Sequence, residues 1–396
     1  MRALRAVAAA AGGLALLAGC GEAARPAGSP APASARAGVP LATSVLGPDG
    51  VSYAIVEMGK AAANENFWQM FARPAHSPGW RLVTPPGVAD NGGLIAAATG
   101  PSSLLAGFRP SQDLSFSPLT STGNAGTSWR PAPPLPGGLA NRPGALAAGP
   151  GGRLLALTTA GEVLLRSGPQ AGWRGLVSEH ALAATPAGRS CGLTGLTGVA
   201  FGPAGVPLLA GSCGRSQTAA IFSQTAGGSW QLAGPALAGP APNGTGQAGR
   251  GSSVLALATA GGVTTAVIRM ASGRVVVAWQ RGTGQHGAGQ HGASQWTSSA
   301  PLIAGTGRVE SASVWPGGAA GVLFSAGRAA VVTGTGGRWQ QISGLPAGTA
   351  TLAAEASGPV QALAASGGTF RAFDLVAGQW RLAQTIHVPI PYGSSG

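Results

Sequence analysis

The sequence predicts an all-β fold: a seven-bladed β-propeller of four-stranded antiparallel blades, preceded by a signal peptide and a flexible linker. Three observations carry this. The 396 residues include 68 Gly and 31 Pro, and both residue types weaken helix interiors. Short apolar runs alternate with Gly/Pro turns along the chain, which is the pattern of strands joined by tight connections. Trp80, Trp129, Trp173, Trp230, Trp296, Trp339 and Trp380 each follow a turn and open a short strand. They recur at intervals of roughly 40 to 65 residues, the repeat length of a propeller blade.

Composition excludes the competing classes. The glycines show no three-residue period, so the chain is not collagen-like. With 44% hydrophobic and only 9% charged residues, it can bury a core and is not a charged disordered chain. Its formal charge of +13 comes almost wholly from Arg. A basic balance favours anionic partners. The Arg residues are scattered singly, however, without the basic run or aromatic interleaving of a nucleic-acid footprint, so no nucleic-acid partner is expected.

The N-terminus is the most specific signal. Arg2 and Arg5 form a cationic start, residues 6–18 an Ala/Leu/Val/Gly core, and Leu17-Ala18-Gly19-Cys20 follows. The apolar stretch is too short to span a bilayer. It resembles a bacterial lipoprotein signal, residues 1–19, cleaved before a lipidated Cys20. That resemblance implies a membrane partner through the lipid on Cys20 and a place on the extracytoplasmic face of the cell membrane. Stable anchoring needs more than one acyl chain, which a diacylated Cys supplies. Residues 20–40, rich in Pro, Ala, Ser and Gly, read as a flexible tether, and residues 41–396 as the propeller domain. Export to an oxidising compartment predicts that the remaining cysteines, Cys191 and Cys213, form a disulfide.

The blades are expected over 41–85, 86–135, 136–180, 190–237, 250–301, 305–345 and 347–388. The third is clearest: strands at 144–148, 153–160, 163–167 and 173–177, separated by Gly turns. Residues 386–396 are expected to help close the ring.

Two turns carry a family resemblance. Thr122-Gly-Asn124-Ala-Gly126-Thr-Ser-Trp129 and Ser223-Gln-Thr225-Ala-Gly227-Gly-Ser-Trp230 resemble the Asp-box, Ser/Thr-x-Asp-x-Gly-x-x-Trp, of sialidase-like BNR-repeat propellers. Asn124 and Thr225 stand where the family has Asp. The turn has a structural logic. A short polar side chain bonds its own turn, the Gly takes φ > 0, and the Trp covers the neighbouring blade. In that family such turns lie on the face away from the ligand, so they imply a fold and not a reaction.

The ligand face in such propellers is built by loops entering each first strand and loops joining second to third strands. On this chain those loops hold Asp90, Asn91, Arg109, Asp113, Glu162, Glu179, His180, Arg189, Arg215, Arg274, Arg308 and Glu310. The mixture of acids and Arg suits an anionic or sugar ligand. A sialidase needs three Arg on a carboxylate, a Tyr–Glu nucleophile and an Asp acid/base. Phe108-Arg109-Pro110 is similar to the element bearing the first Arg. The two tyrosines, Tyr53 and Tyr392, lie in a core strand and in the tail, and no acid pairs with either. The tandem Gly-Gln-His repeats at His286 and His291 supply two imidazoles, short of the four ligands of structural zinc. No metal or cofactor is expected.

The sequence therefore reads as a non-catalytic, envelope-exposed binding or scaffold lipoprotein, partnered by an envelope protein or glycan. The alternatives are a sialidase-like glycoside hydrolase and a lectin-like binder of anionic wall polymers.

Overall fold

Short strands joined by tight turns dominate the structure. The computed structural model describes residues 42–60, 65–75, 77, 79–88, 93–109, 118–137, 141–214, 218–237, 251–282, 296–303, 307–354 and 360–389. The first strands are β1 (Ala42–Leu46), β2 (Ser52–Lys60), β3 (Glu65–Arg73) and β4 (Arg81–Leu82), then β5 (Leu94–Gly100), β6 (Ser103–Phe108), β7 (Leu119–Thr122) and β8 (Arg130–Pro131). Next come β9 (Pro143–Gly149), β10 (Arg153–Thr158), β11 (Glu162–Arg166) and β12 (Trp173–Ser178), then β13 (Leu193–Phe201), β14 (Pro207–Cys213), β15 (Ile221–Gln224) and β16 (Trp230–Leu232). The rest are β17 (Ser252–Ala260), β18 (Val263–Arg269), β19 (Val275–Arg281), β20 (Trp296–Ser298), β21 (Val309–Val314), β22 (Ala320–Phe324), β23 (Arg328–Val332), β24 (Gln340–Ile342), β25 (Thr349–Ala353), β26 (Gln361–Ser366), β27 (Thr369–Val376) and β28 (Gln379–His387).

Consecutive strands pair antiparallel in groups of four. β1–β4, β5–β8, β9–β12, β21–β24 and β25–β28 are separate sheets, while β13–β16 and β17–β20 share one eight-stranded sheet. Each group lies inside one of the segments expected from the tryptophan spacing. The merging was not expected. It rests on Ser212 and Cys213 of β14 pairing with Ser253 and Ser252 of β17. Gly251 allows it, because a Cβ there would sit 1.4 Å from the Cys213 carbonyl oxygen.

The middle strands are buried on both faces. Every residue of β14 and of β22 is buried, as expected of a strand covered by a sheet on either side. Packing runs from each sheet to the next. The β1–β4 and β5–β8 sheets share a cluster of Tyr53, Ile55, Met70, Leu94, Leu104 and Phe108. The β13–β16 and β17–β20 groups share Leu208, Ile221, Val254 and Ile268.

The recurrent tryptophans sit on these seams. Trp129 packs in the cluster of the preceding sheet with Val83, and its Nε1 donates to the Val83 carbonyl at 2.9 Å. Trp173 packs on Leu105 and Leu119 and donates to Pro133 O at 3.2 Å. Trp296 donates to Ala233 O at 2.6 Å and Trp380 to Ser343 O at 3.3 Å. Trp230 and Trp339 join the clusters of the sheets before them.

The turn before Trp129 has the expected internal bonding. Asn124 Oδ1 accepts from Ser128 N at 2.9 Å, and Thr122 Oγ1 accepts from Gly126 N at 3.0 Å. Gly126 is required twice over. Its φ is +83°, and a Cβ would stand 2.6 Å from Val83 Cβ of the preceding sheet. The second turn keeps the polar contact as Thr225 Oγ1 to Ser229 Oγ at 2.8 Å.

The first and last sheets meet without exchanging a strand, since each group of four is continuous in sequence. Phe71 stacks on Phe370 at 3.9 Å between centroids, and Trp80 meets the same ring edge-on at 6.0 Å. Trp80 Nε1 donates to Gln361 Oε1 at 3.0 Å, while Gln384 bonds both the N and O of Trp80. Val388 is buried in this seam, so the segment after the last strand contributes as expected. Residues 390–396 lie outside the described residues.

Residues 179–191 depart from the expected loop. They form α1 (Glu179–Ala183) and α2 (Pro186–Cys191). Ser178 and Thr185 cap the two helices by accepting from Ala181 N and Gly188 N, Pro186 opens α2, and Gly192 closes it in the left-handed region. These are ordinary start and stop signals, but each helix is too short to show a 3.6-residue period.

If the indoles couple neighbouring sheets, Trp129→Phe, which keeps the apolar contact and loses the bond to Val83, lowers unfolding stability by about 1 kcal/mol. Trp129→Ala lowers it by about 3 kcal/mol. Denaturant unfolding checks both, and a Trp129→Phe variant as stable as the wild type would place no weight on the indole N–H.

Candidate functional site

Strand direction sorts the loops onto two rims. Turns joining second to third strands, and connections entering each first strand, share one end of every sheet, here the upper rim. Backbone bonds tie them: Thr159 N to Arg142 O, Glu179 N to Gly161 O, Gly214 N to Gly192 O, and Ser325 N to Arg308 O. The other turns form the lower rim.

Between the rims runs a central channel of about 390 Å³, lined by β1, β5, β9, β13, β17 and β21. Its walls are mainly small residues, among them Ala96, Ala97, Gly144, Ala147, Gly198 and Ala256, with hydroxyls from Thr43, Ser44, Thr197, Thr259, Ser311 and Ser313. Glu310 is the one ionisable side chain among the described lining residues. The inner strand β25 does not reach this lining. β21 and β1 meet in front of it: Ser311 Oγ bonds Thr351 Oγ1 at 2.9 Å, Ser44 Oγ donates to Leu352 O at 2.7 Å, and Trp315 Nε1 donates to Ser44 Oγ at 3.1 Å. Ser313 is 3% exposed, and its hydroxyl has no hydrogen-bond partner.

The residues read from the sequence distribute unevenly. Glu310 lines the channel. Arg308, two residues earlier at the upper rim, is exposed, and its backbone N donates to Ser325 Oγ at 3.0 Å. Arg109 is exposed at the end of β6, and Arg274 is exposed in the turn between β18 and β19. His180 is exposed on α1. Glu179 is committed locally, its Oε2 accepting from Leu196 N at 3.0 Å beside a bulge in β13. Glu162 is exposed at the start of β11, and Arg189 bonds the Ala184 carbonyl. Asp90, Asn91, Asp113, Arg215, His286 and His291 lie outside the described residues. Among the described residues no cluster of three or more His, Cys, Asp or Glu could hold a metal ion. Sequence reasoning missed Ser313 and Trp315. Trp315 precedes a Pro-Gly-Gly turn, as the propeller-seam tryptophans do not, and that difference was the available signal.

Cys191 and Cys213 are disulfide-bonded, with Cα atoms 5.0 Å apart. Bulges in β13 shift its register so that Leu193 lies opposite Cys213. The bond closes a segment of sequence separation 22, worth about 3 kcal/mol in the chain-entropy model. It fastens the end of α2 to the upper end of β14, and both sulfurs are buried in the cluster that also takes Leu182.

Tyr53 is 1% exposed in the seam between β1–β4 and β5–β8. Burial pushes its phenol up to about 12, with the Asp49 carboxylate adding to the shift. Burial also pushes Asp49 up, but the hydroxyl and N–H of Ser102 bond its carboxylate and hold it below the ordinary value. A phenol so placed is not the exposed nucleophile of a sialidase.

No protein-family model matches the chain, and no curated protein matches it. Solved structures do. The BP39L lectin from Burkholderia pseudomallei is similar at a TM-score of 0.50 and 15% identity, over 87% of this chain and 98% of that one. A candidate 6-phosphogluconolactonase from Bacteroides fragilis gives 0.50 and 12%, over 86% and 96%. YCF48 from Cyanidioschyzon merolae gives 0.49 and 12%, over 83% and 95%. These neighbours are β-propeller-type proteins, and at such identity the likeness shows the fold alone: the chain is a β-propeller.

In a Tyr392→Phe variant, Tyr53 is the sole tyrosine. Phenolate absorbance then stays low until the pH nears 12. Because the folded pKa lies above the ordinary 10.0, Tyr53 stabilises the fold below pH 10 and that contribution is lost between 10 and 12. Ionisation near 10 in the folded protein would contradict the burial.

Proposed function

We propose that the protein is a non-catalytic binding or scaffold module of the cell envelope, built as a seven-bladed propeller. It is lipidated on Cys20 and held by residues 20–40 on the extracytoplasmic face of the cell membrane. The groups of four strands, each with its tryptophan on the sheet before, support seven blades. The bonding of Asn124 and Thr122 within their turn supports kinship with the BNR-repeat propellers.

The observation that carries the binding reading is the channel. Its wall is built from Ala, Gly, Ser and Thr, with Glu310 as the ionisable group among the described lining residues. Such a wall offers shape and hydrogen bonds. Hydrolysis of a glycosidic bond instead calls for two carboxyl groups flanking it, roughly 5 to 9.5 Å apart. Around the upper mouth, Arg109, His180, Arg308 and Glu310 are exposed, and these side chains face an envelope protein or glycan on this reading.

The test uses the full chain in a bacterium that processes lipoproteins. The wild type takes up labelled fatty acid and sediments with membranes, while Cys20→Ser does neither. The purified protein turns over none of a panel of chromogenic glycosides. Hydrolysis that disappears in Glu310→Gln would overturn the non-catalytic reading, and membrane retention of Cys20→Ser would overturn the anchor.

A further inference from the structure

The lower rim carries a feature that the channel reading does not use. Four of the seam tryptophans are followed directly by arginine: Trp80-Arg81, Trp129-Arg130, Trp173-Arg174 and Trp380-Arg381. Each pair starts or nearly starts the outermost strand of its sheet, at the lower end. Side chains alternate along a strand. With the indole turned onto the preceding sheet, the arginine is directed to the opposite side, and all four are exposed. The four strands, β28, β4, β8 and β12, belong to sheets that follow one another around the ring, across the seam between first and last. The arginines therefore recur once per sheet along one arc. The arc is flanked by β16 and β24, where Gln231 and Gln340 follow the tryptophan.

The local charge is unbalanced. Of the described acidic residues, Glu57, Glu65, Glu162, Glu179 and Glu310 lie in the upper half of their sheets or on the upper rim. Asp49 and Asp374 lie lower, and both are engaged. Asp49 accepts from Ser102, and Asp374 Oδ1, across from Arg381, accepts from Gln361 Nε2 at 2.6 Å. Arg81 is steered by its neighbour, its Nη2 donating to Ala125 O at 3.0 Å. Arg153 and Arg166 add further positive charge at the lower ends of β10 and β11.

We infer that this arc is a docking track for a linear polyanion, a polymer with one phosphate or carboxylate group per repeat. Arginine suits that partner because its fork engages oxyanions bidentately. Outside the arc the lower rim also carries exposed Arg281 at the end of β19, whose Nη2 donates to Thr335 Oγ1, and exposed Arg338 before Trp339. Only on the four consecutive sheets does an arginine recur at one equivalent position, directly after the tryptophan, which suits a chain with one anionic group per repeat. The inference stands independently of the channel and of the lipid anchor.

The test measures binding of the full chain to long-chain linear polyphosphate across a salt series. The expected result is measurable binding whose logarithm falls with log salt by about 0.7 per contact. The triple variant Arg130→Gln/Arg174→Gln/Arg381→Gln then binds about tenfold more weakly or worse, with the slope reduced by about 2. An unchanged unfolding midpoint shows that it still folds. The triple Arg269→Gln/Arg274→Gln/Arg371→Gln, which removes the same charge from the exposed upper ends of β18, β19 and β27, keeps wild-type binding. Equal loss in both triples would overturn the track in favour of diffuse net charge. Binding to phosphatidylglycerol vesicles without binding to polyphosphate would overturn it in favour of a planar partner.

Discussion

The structure depends on one repeated contact: an indole at the start of an outermost strand, seated on the sheet before it. A four-stranded sheet has two apolar faces and cannot cover them itself. Each needs a neighbour, and a ring of sheets is the arrangement that leaves no face over. The tryptophan sets the spacing at the wide outer edge, where the sheets diverge and small residues would leave a gap. Where its N–H reaches a carbonyl, as at Val83, Pro133, Ala233 and Ser343, the contact also fixes orientation. Towards the axis the same geometry demands the opposite, and there the inner strands are Ala- and Gly-rich.

The seam between β1–β4 and β25–β28 bears most weight, because no strand crosses it. Side chains supply most of the closure, namely the Phe71–Phe370 stack, Trp80 against it, and the amides of Gln361 and Gln384, beside a single backbone bond from Gly59 N to the Gly367 carbonyl at 3.0 Å. Closure by packing makes this the seam where loss of a few contacts opens the molecule.

Much of this was legible in the sequence. Tryptophan spacing located the sheets, and Gly turns located the strands, because both signals are local. The disulfide followed from the expectation of export and from the cysteine count. What was hidden depends on contacts remote in sequence. The pairing of β14 with β17 turns on the absence of a Cβ at Gly251. The retreat of β25 from the axis turns on hydrogen bonds of Ser44 and Ser311 to its strand. α1 and α2 had caps but no length to show a period. At the site, Glu310 was legible as a loop-adjacent acid, but Ser313 was not, because only the fold reveals that its hydroxyl is buried beside a channel. Glu179 resembled its neighbours in sequence and differs from them by one bond to Leu196 N.

The most direct test of the central claim is a double-mutant cycle across the closing seam, using Trp80→Leu, Phe370→Leu and the pair, read by denaturant unfolding. Rings in contact have a coupling energy of about 0.5 to 1.5 kcal/mol beyond their area, so the double variant should be less destabilised than the two single losses added together. Additivity within about 0.3 kcal/mol would mean that the first and last sheets do not meet through these rings, and the account of a ring closed by side chains would be contradicted.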